Sequence, residues 1–182
     1  MDTTLVQRAM DGDAEAFSAV LRSQVDHLYA VAFRIVRDTT LAEDATQQAM
    51  LDMWAHVKSI RSADRYEAWS YRILVRACYR EIKRQHRWHE RLRALPDPIF
   101  TVDDETDAVA ERDRMRRCFG RIPPDLRAVV VLHHYADLPV SRIAEILQIP
   151  PGTVRSRLFY GMRGMRAAVE ADERLARRKG MA

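Results

Sequence analysis

Residues 123–166, PPDLRAVVVLHHYADLPVSRIAEILQIPPGTVRSRLFYGMRGMR, decide the fold. At 100° per residue, Val140, Ile143, Ala144 and Leu147 fall on one stripe, with Arg142 and Glu145 opposite, which predicts a short helix over about 139–147. The chain turns at Gln148-Ile149-Pro150 and restarts at Pro151, a residue suited to a first helical position because its missing N–H would be unpaired there. In the second helix Val154, Leu158, Gly161 and Met165 line one side. Ser156, Tyr160 and Arg163 centre on the other, with Arg155 and Phe159 on one shoulder and Thr153 and Arg157 on the opposite one. A small residue at the crossing (Ala144) and a turn of three or four residues fit a helix-turn-helix. Its free face offers guanidiniums for phosphates or guanine edges, and hydroxyls near the helix N-terminus, where backbone N–H groups also favour a phosphate. The competing reading is a helical hairpin with a solvated basic face. Apolar spacing, small residue, turn length and base together favour DNA.

IAEILQIPPGTVRSRL, residues 143–158, resembles the C-terminal promoter-reading motif of the extracytoplasmic-function (ECF) sigma factors. The resemblance implies that Thr153, Arg155, Ser156, Arg157, Phe159 and Arg163 meet the −35 element as duplex DNA. Two positions depart from the family pattern. Gln148 stands where the family usually has glycine, so a positive φ there would carry strain. Tyr160 occupies a place often held by a basic residue, which bears on sequence preference at that end.

The chain has 182 residues, room for one domain or two small ones. Only six of them are glycine, and strings such as AEDATQQAMLDMWAHV are rich in helix formers, so the expected fold class is all-α. No apolar run approaches the roughly 20 residues of a membrane helix. The start MDTTLVQRAMDGD lacks the basic-then-apolar order of a signal peptide. The expected location is the cytoplasm, with no membrane insertion. Cys78 and Cys118 suggest no disulfide scaffold, and Cys78, His86 and His89 match no familiar zinc spacing, so neither metal nor cofactor is expected. Nor does the sequence show a carboxylate pair, a Ser/His/Asp set or a phosphate-cradling glycine loop, and no catalytic residue is assigned.

Toward the N-terminus, residues 4–37 read as helices interrupted at Asp11-Gly12-Asp13, with a long apolar stripe from Phe17 to Val36. Next, Thr40-Leu41-Ala42-Glu43 fits a capping box with Thr40 as N-cap. Leu41, Ala45, Ala49 and Met53 then form one apolar row, and Met50, Trp54 and Val57 a second. Residues 41–57 hold three acids and no Lys or Arg, while Asp44, Gln47, Gln48 and Leu51 project away from the first row. Pattern alone leaves a surface helix of a bundle and a partner-binding helix both open. GDAEAF and AEDATQQAMLDMW are similar to the N-terminal domain of ECF sigma factors. That resemblance implies docking on the coiled coil of the largest RNA polymerase subunit through Asp44, Gln47, Gln48, Leu51 and Trp54.

Residues 58–68 read as a loop, followed by a helix from about Tyr66 to Arg93 with Trp69, Ile73, Ala77 and Ile82 inward. Six basic residues face two acids within 80–93, and Trp69, Tyr71, Tyr79 and Trp88 interleave with the helix's charge. Single-stranded nucleic acid is held by such stacking surface plus cations, although snorkelling arginines on a solvated helix look the same. EAWSYRILVRACYREIKRQHR resembles the family's −10 region, which implies −10 contacts by Arg65, Trp69, Arg72, Arg76, Arg80 and Arg84. Arg76 and Arg80 replace the family's asparagine and aspartate, making the face more basic and its base preference its own.

From Leu95 to Asp113 seven acids oppose one arginine, and Pro96 and Pro98 break the helix. This reads as a linker, giving an N-terminal domain over 1–94, a linker over 95–110 and a helix-turn-helix domain over 111–182. The sign contrast also suggests that the linker masks a basic DNA-binding face in the free protein. In the second domain, helix DLRAVVVLHHY is apolar nearly all round and should be buried, with His133 and His134 at the core edge. The tail ERLARRKGMA is basic and expected to fray. The resemblance implies a sigma factor that binds core RNA polymerase and promoter DNA in a stress or signal response, held in check by an anti-sigma factor. The alternative is a stand-alone helix-turn-helix regulator, which would need a dimer to read a palindrome.

Overall fold

The computed structural model describes residues 2–93 and 119–179. Seven α-helices and no strand occur among them: α1 (Thr3–Met10), α2 (Ala14–Val36), α3 (Thr39–His56), α4 (Tyr66–Arg93), α5 (Pro124–His134), α6 (Val140–Leu147) and α7 (Pro151–Lys179). The all-α reading holds. The acidic linker, Cys118 and the side chain of His89 lie outside the described residues.

Aspartates start the first three helices. Asp2 and Asp13 each accept two first-turn N–H groups, and Gly12 between them takes φ 101°. At α3 the cap is Asp38, whose Oδ1 accepts the Leu41 N–H at 2.8 Å, and Thr39 and Thr40 are already helical. The expected Thr40 capping box does not form. Arg37 closes α2 in the left-handed region at φ 69°, and that sharp exit leaves Asp38 extended and first in line for the orphan amides.

The first half packs α2, α3 and α4 around Phe17, Leu28, Ile35, Met53, Tyr66 and Leu74, all buried, with α1 laid along α2. The predicted row Leu41, Ala45, Ala49 and Met53 is the buried face of α3. On α4 the inward face differs from expectation. Tyr66, Tyr71, Leu74, Val75, Ala77 and Cys78 are buried, whereas Trp69, Ile73 and Ile82 are only half-buried. Both α2 and α3 cover α4, so its buried arc is wider than one helical stripe. Tyr71 consequently offers no stacking surface; its hydroxyl lies 2.7 Å from His27 Nε2.

In the second half α5 is buried on nearly every side, as its composition requires, and packs on α7. His133 Nδ1 bonds the Leu138 carbonyl at 2.9 Å, a core-edge role. Gln148 ends α6 in the left-handed region at φ 56°, its N–H bonded to Ala144 O. Val154 and Gly161 are buried on the inner side of α7, as predicted. α7 is helical through Lys179. The halves are in contact, α2 against α5 and α4 against α6, and share one continuous apolar core.

Candidate polymerase and nucleic-acid surfaces

The outer face of α3 follows from its register. With one apolar row inward, Gln47, Gln48, Leu51 and Trp54 must point out, and Leu51 and Trp54 are 57% and 52% exposed. Trp54 leans on Phe17 with ring centroids 5.1 Å apart, so its orientation is fixed while much of its surface stays open. Asp44 is half-buried and paired with Arg84 at 2.7 Å. Two turns along the helix, Asp52 takes Gln48 Nε2 at 2.9 Å and Arg80 Nη2 at 2.6 Å. Partial burial pushes the Asp52 pKa up, but the hydrogen bonds from Arg80 and Gln48 outweigh it and hold the carboxyl below its ordinary value. Sequence spacing gave no sign of Asp52, because its cation comes from another helix.

The six expected −10 residues do not form one free patch. Arg80 and Arg84 bridge to α3, and Arg84 also reaches Glu81 at 2.6 Å. Arg72 Nη2 donates to the Glu145 carbonyl at 2.9 Å, and Arg76 Nη2 donates to Gln148 Oε1, both on the second half. Arg65 is exposed at the end of the turn before α4, and Trp69 is half-buried against Tyr66. Exposed pairs of this kind hold about 0–1 kcal/mol each, so phosphates can displace them. Trp88, 59% exposed, is the open aromatic of this helix.

α7 presents the expected −35 residues together. Arg155, Ser156, Phe159 and Arg163 are exposed on one side, with Thr153 half-buried near the helix start. Arg157 is the exception, half-buried and 3.4 Å from Asp125 of α5. Phe159 and Tyr160 stand 63% and 56% exposed with rings edge-on at 5.4 Å. Tyr160 adds apolar surface where a thymine methyl could be met. The protein thus carries a helix with an exposed basic face, α7, in its second half and an acidic-and-apolar helix beside a basic one in its first.

Comparison with known proteins gives this layout a name. The family model for Sigma-70 region 2 matches residues 20–88, and that for Sigma-70, region 4 matches residues 112–164. The ECF RNA polymerase sigma factor SigM of Mycobacterium tuberculosis is 30% identical over 86% of this chain and 78% of its own length. The chain belongs to the ECF sigma factor family. RNA polymerase sigma-H factor of Pseudomonas aeruginosa is 26% identical to it, over 93% of this sigma factor and 94% of that one. Among solved structures, CnrH in complex with the cytosolic domain of CnrY has the same fold, with a TM-score of 0.72 at 19% identity over 94% of this chain and 98% of that one. The sigma factor RpoE of Bartonella quintana, in complex with the anti-sigma factor NepR, gives 0.71 at 18% identity over 87% and 99%. No described helix of this sigma factor is long and apolar enough to cross a membrane.

Proposed function

We propose that this sigma factor joins core RNA polymerase through the outer face of α3, with Asp44, Gln47, Gln48, Leu51 and Trp54 as the contact set. Arg65, Trp69, Arg72, Arg76, Arg80 and Arg84 then hold the −10 element as its strands part, while Thr153, Arg155, Ser156, Arg157, Phe159 and Arg163 read the −35 duplex. The boundaries of this division of labour are residues 1–94, a linker over 95–110 and residues 111–182. The protein acts in the cytoplasm without chemistry of its own, in a stress or signal response, and an anti-sigma factor restrains it. The last point draws on the two similar structures, one of which holds a named anti-sigma factor.

The observation that carries the reading is the physical separation of two unlike surfaces. Leu51 and Trp54 are large, apolar and open on a helix without Lys or Arg, a surface suited to a protein partner. Arg155 and Arg163 are open on α7 and make no ion pair among the described residues, a surface suited to DNA. Transcription in vitro with core polymerase on a genomic promoter library tests it. The expected result is a discrete promoter set that depends on both proteins, and loss of core binding by Leu51→Ala/Trp54→Ala with the fold intact. A sequence-specific footprint by the sigma factor alone, at full strength without polymerase, would falsify the proposal in favour of a stand-alone regulator.

A further inference from the structure

At the junction of the two halves lies a cavity of about 330 Å³. Ile82, Gln85 and His86 of α4 form one wall; Arg121, Pro123 and Arg127, leading into and along α5, form the other. None of its lining residues among the described ones is acidic. Arg127 is only 6% exposed, and its Nε, cut off from solvent, has no hydrogen-bond partner among the described residues. A buried guanidinium in that condition is destabilising unless an anion reaches it. Asp125, in the first turn of α5, faces the adjoining cleft and Arg157.

We propose that Arg127 anchors an oxyanion site at this junction, which takes the phosphate group of a small molecule. Phosphate fits better than a carboxylate because Arg127 and Arg121, both lining the cavity, supply two positive charges. The volume, about that of ten liquid waters, leaves room for an organic group beyond the phosphate. Burial, and then the like charge of Arg37, bring the Arg127 pKa down to about 10, so the guanidinium is still charged at neutral pH when the anion arrives. Because the walls come from both halves, occupancy favours their packed arrangement over a separated one.

The test uses the full chain and inorganic phosphate, titrated calorimetrically at fixed ionic strength against chloride. One saturable site is expected, weakened about tenfold or more by Arg127→Met and by the exposed-site variant Arg121→Gln. Thermal unfolding gives a second readout with a change of order. In phosphate-free buffer Arg127→Met should match or exceed wild type, since the unpaired buried charge is gone; in phosphate, wild type should rise above it. Acetate binding as tight as phosphate would overturn the phosphate assignment. Absence of saturation by about 10 mM phosphate, or equal stabilisation of wild type and both variants, would overturn the site itself.

Discussion

At the scale of single residues, two buried positions make opposite demands. Gly161 lies where α7 crosses α5, and a Cβ there would stand 2.7 Å from Val130 Cγ2. Overpacking of a fitted crossing costs about 1–3 kcal/mol, against about 1 kcal/mol gained in helix propensity. Gly161→Ala should therefore lower stability in urea unfolding, whereas Gly164→Ala, whose nearest neighbour would be Ile122 Cγ1 at 3.8 Å, should raise it by about 1 kcal/mol. If both variants gain, the crossing is looser than the structure shows. Tyr66 is the reverse case: fully buried, with a hydroxyl that finds no hydrogen-bond partner among the described residues. Burial pushes its pKa up to about 12. An acid whose folded pKa is raised favours folding below its unfolded pKa near 10, and that contribution disappears as pH climbs from there toward 12. Wild type should lose stability across this window, by about 2–3 kcal/mol for this group alone. Tyr66→Phe should be neutral or about 1 kcal/mol more stable at pH 7 and should lose visibly less between pH 10 and 12. Denaturant midpoints at pH 7, 9 and 11 decide it, and a large loss at pH 7 would reveal a partner for the hydroxyl.

At the scale of elements, α7 sets an open arginine apart from a paired one. Arg155 is exposed and makes no ion pair among the described residues, so it is free to meet a base edge, while Arg157 is held near Asp125. Arg155→Ala should cost about 1–3 kcal/mol on the preferred −35 sequence and little on scrambled duplex. Equal loss on all sequences, measured by competition binding at one salt concentration, would reduce Arg155 to a phosphate contact. The helix-turn-helix was legible in advance because α7 buries one row, Val154, Gly161 and Ala168, which 3.6-residue spacing encodes, and α6 buries Ile143 and Ala144 of its expected stripe. Ile146, outside that stripe, is buried too because α6 also packs on α4. Gln148 was legible too; its positive φ follows from where the motif must turn. The α3 start was not. Asp38 and Thr40 are both capping types, and the left-handed Arg37 before them chose the winner. The α4 face was misjudged for a related reason, since two neighbouring helices bury a wider arc than a stripe. Pairing of Arg80 with Asp52 and Arg84 with Asp44 joins residues 28 and 40 positions apart, a distance that local spacing cannot report.

For the whole molecule, the arrangement of the two halves sets what the proposed −10 residues can do. Arg72 and Arg76 are bonded to the end of α6, so in the packed form they are occupied by the same chain that must also read the −35 element. Exposed bonds of this sort are weak singly, and Tyr135 adds a third attachment beside them. Its ring stacks on His27 of α2, centroids 5.6 Å apart and planes within 12°, and the Arg34 guanidinium lies 3.6 Å from its centroid. Stack and cation–π contact together contribute about 1–2 kcal/mol to the packed form. Tyr135 is partly open and outside the buried core of either half, so its removal should loosen the contact without unfolding the helices. Tyr135→Ala should shift the packed-to-separated ratio about 5- to 30-fold, release Arg72 and Arg76, and raise the affinity of the free chain for single-stranded −10 DNA by up to that factor. Fluorescence anisotropy with a labelled oligonucleotide measures it, with helical content checked by circular dichroism. An Arg72→Ala/Arg76→Ala/Tyr135→Ala chain should show no such rise if the released groups are themselves the proposed contacts. Unchanged affinity in a folded Tyr135→Ala chain would mean that the two halves do not compete with DNA for these arginines.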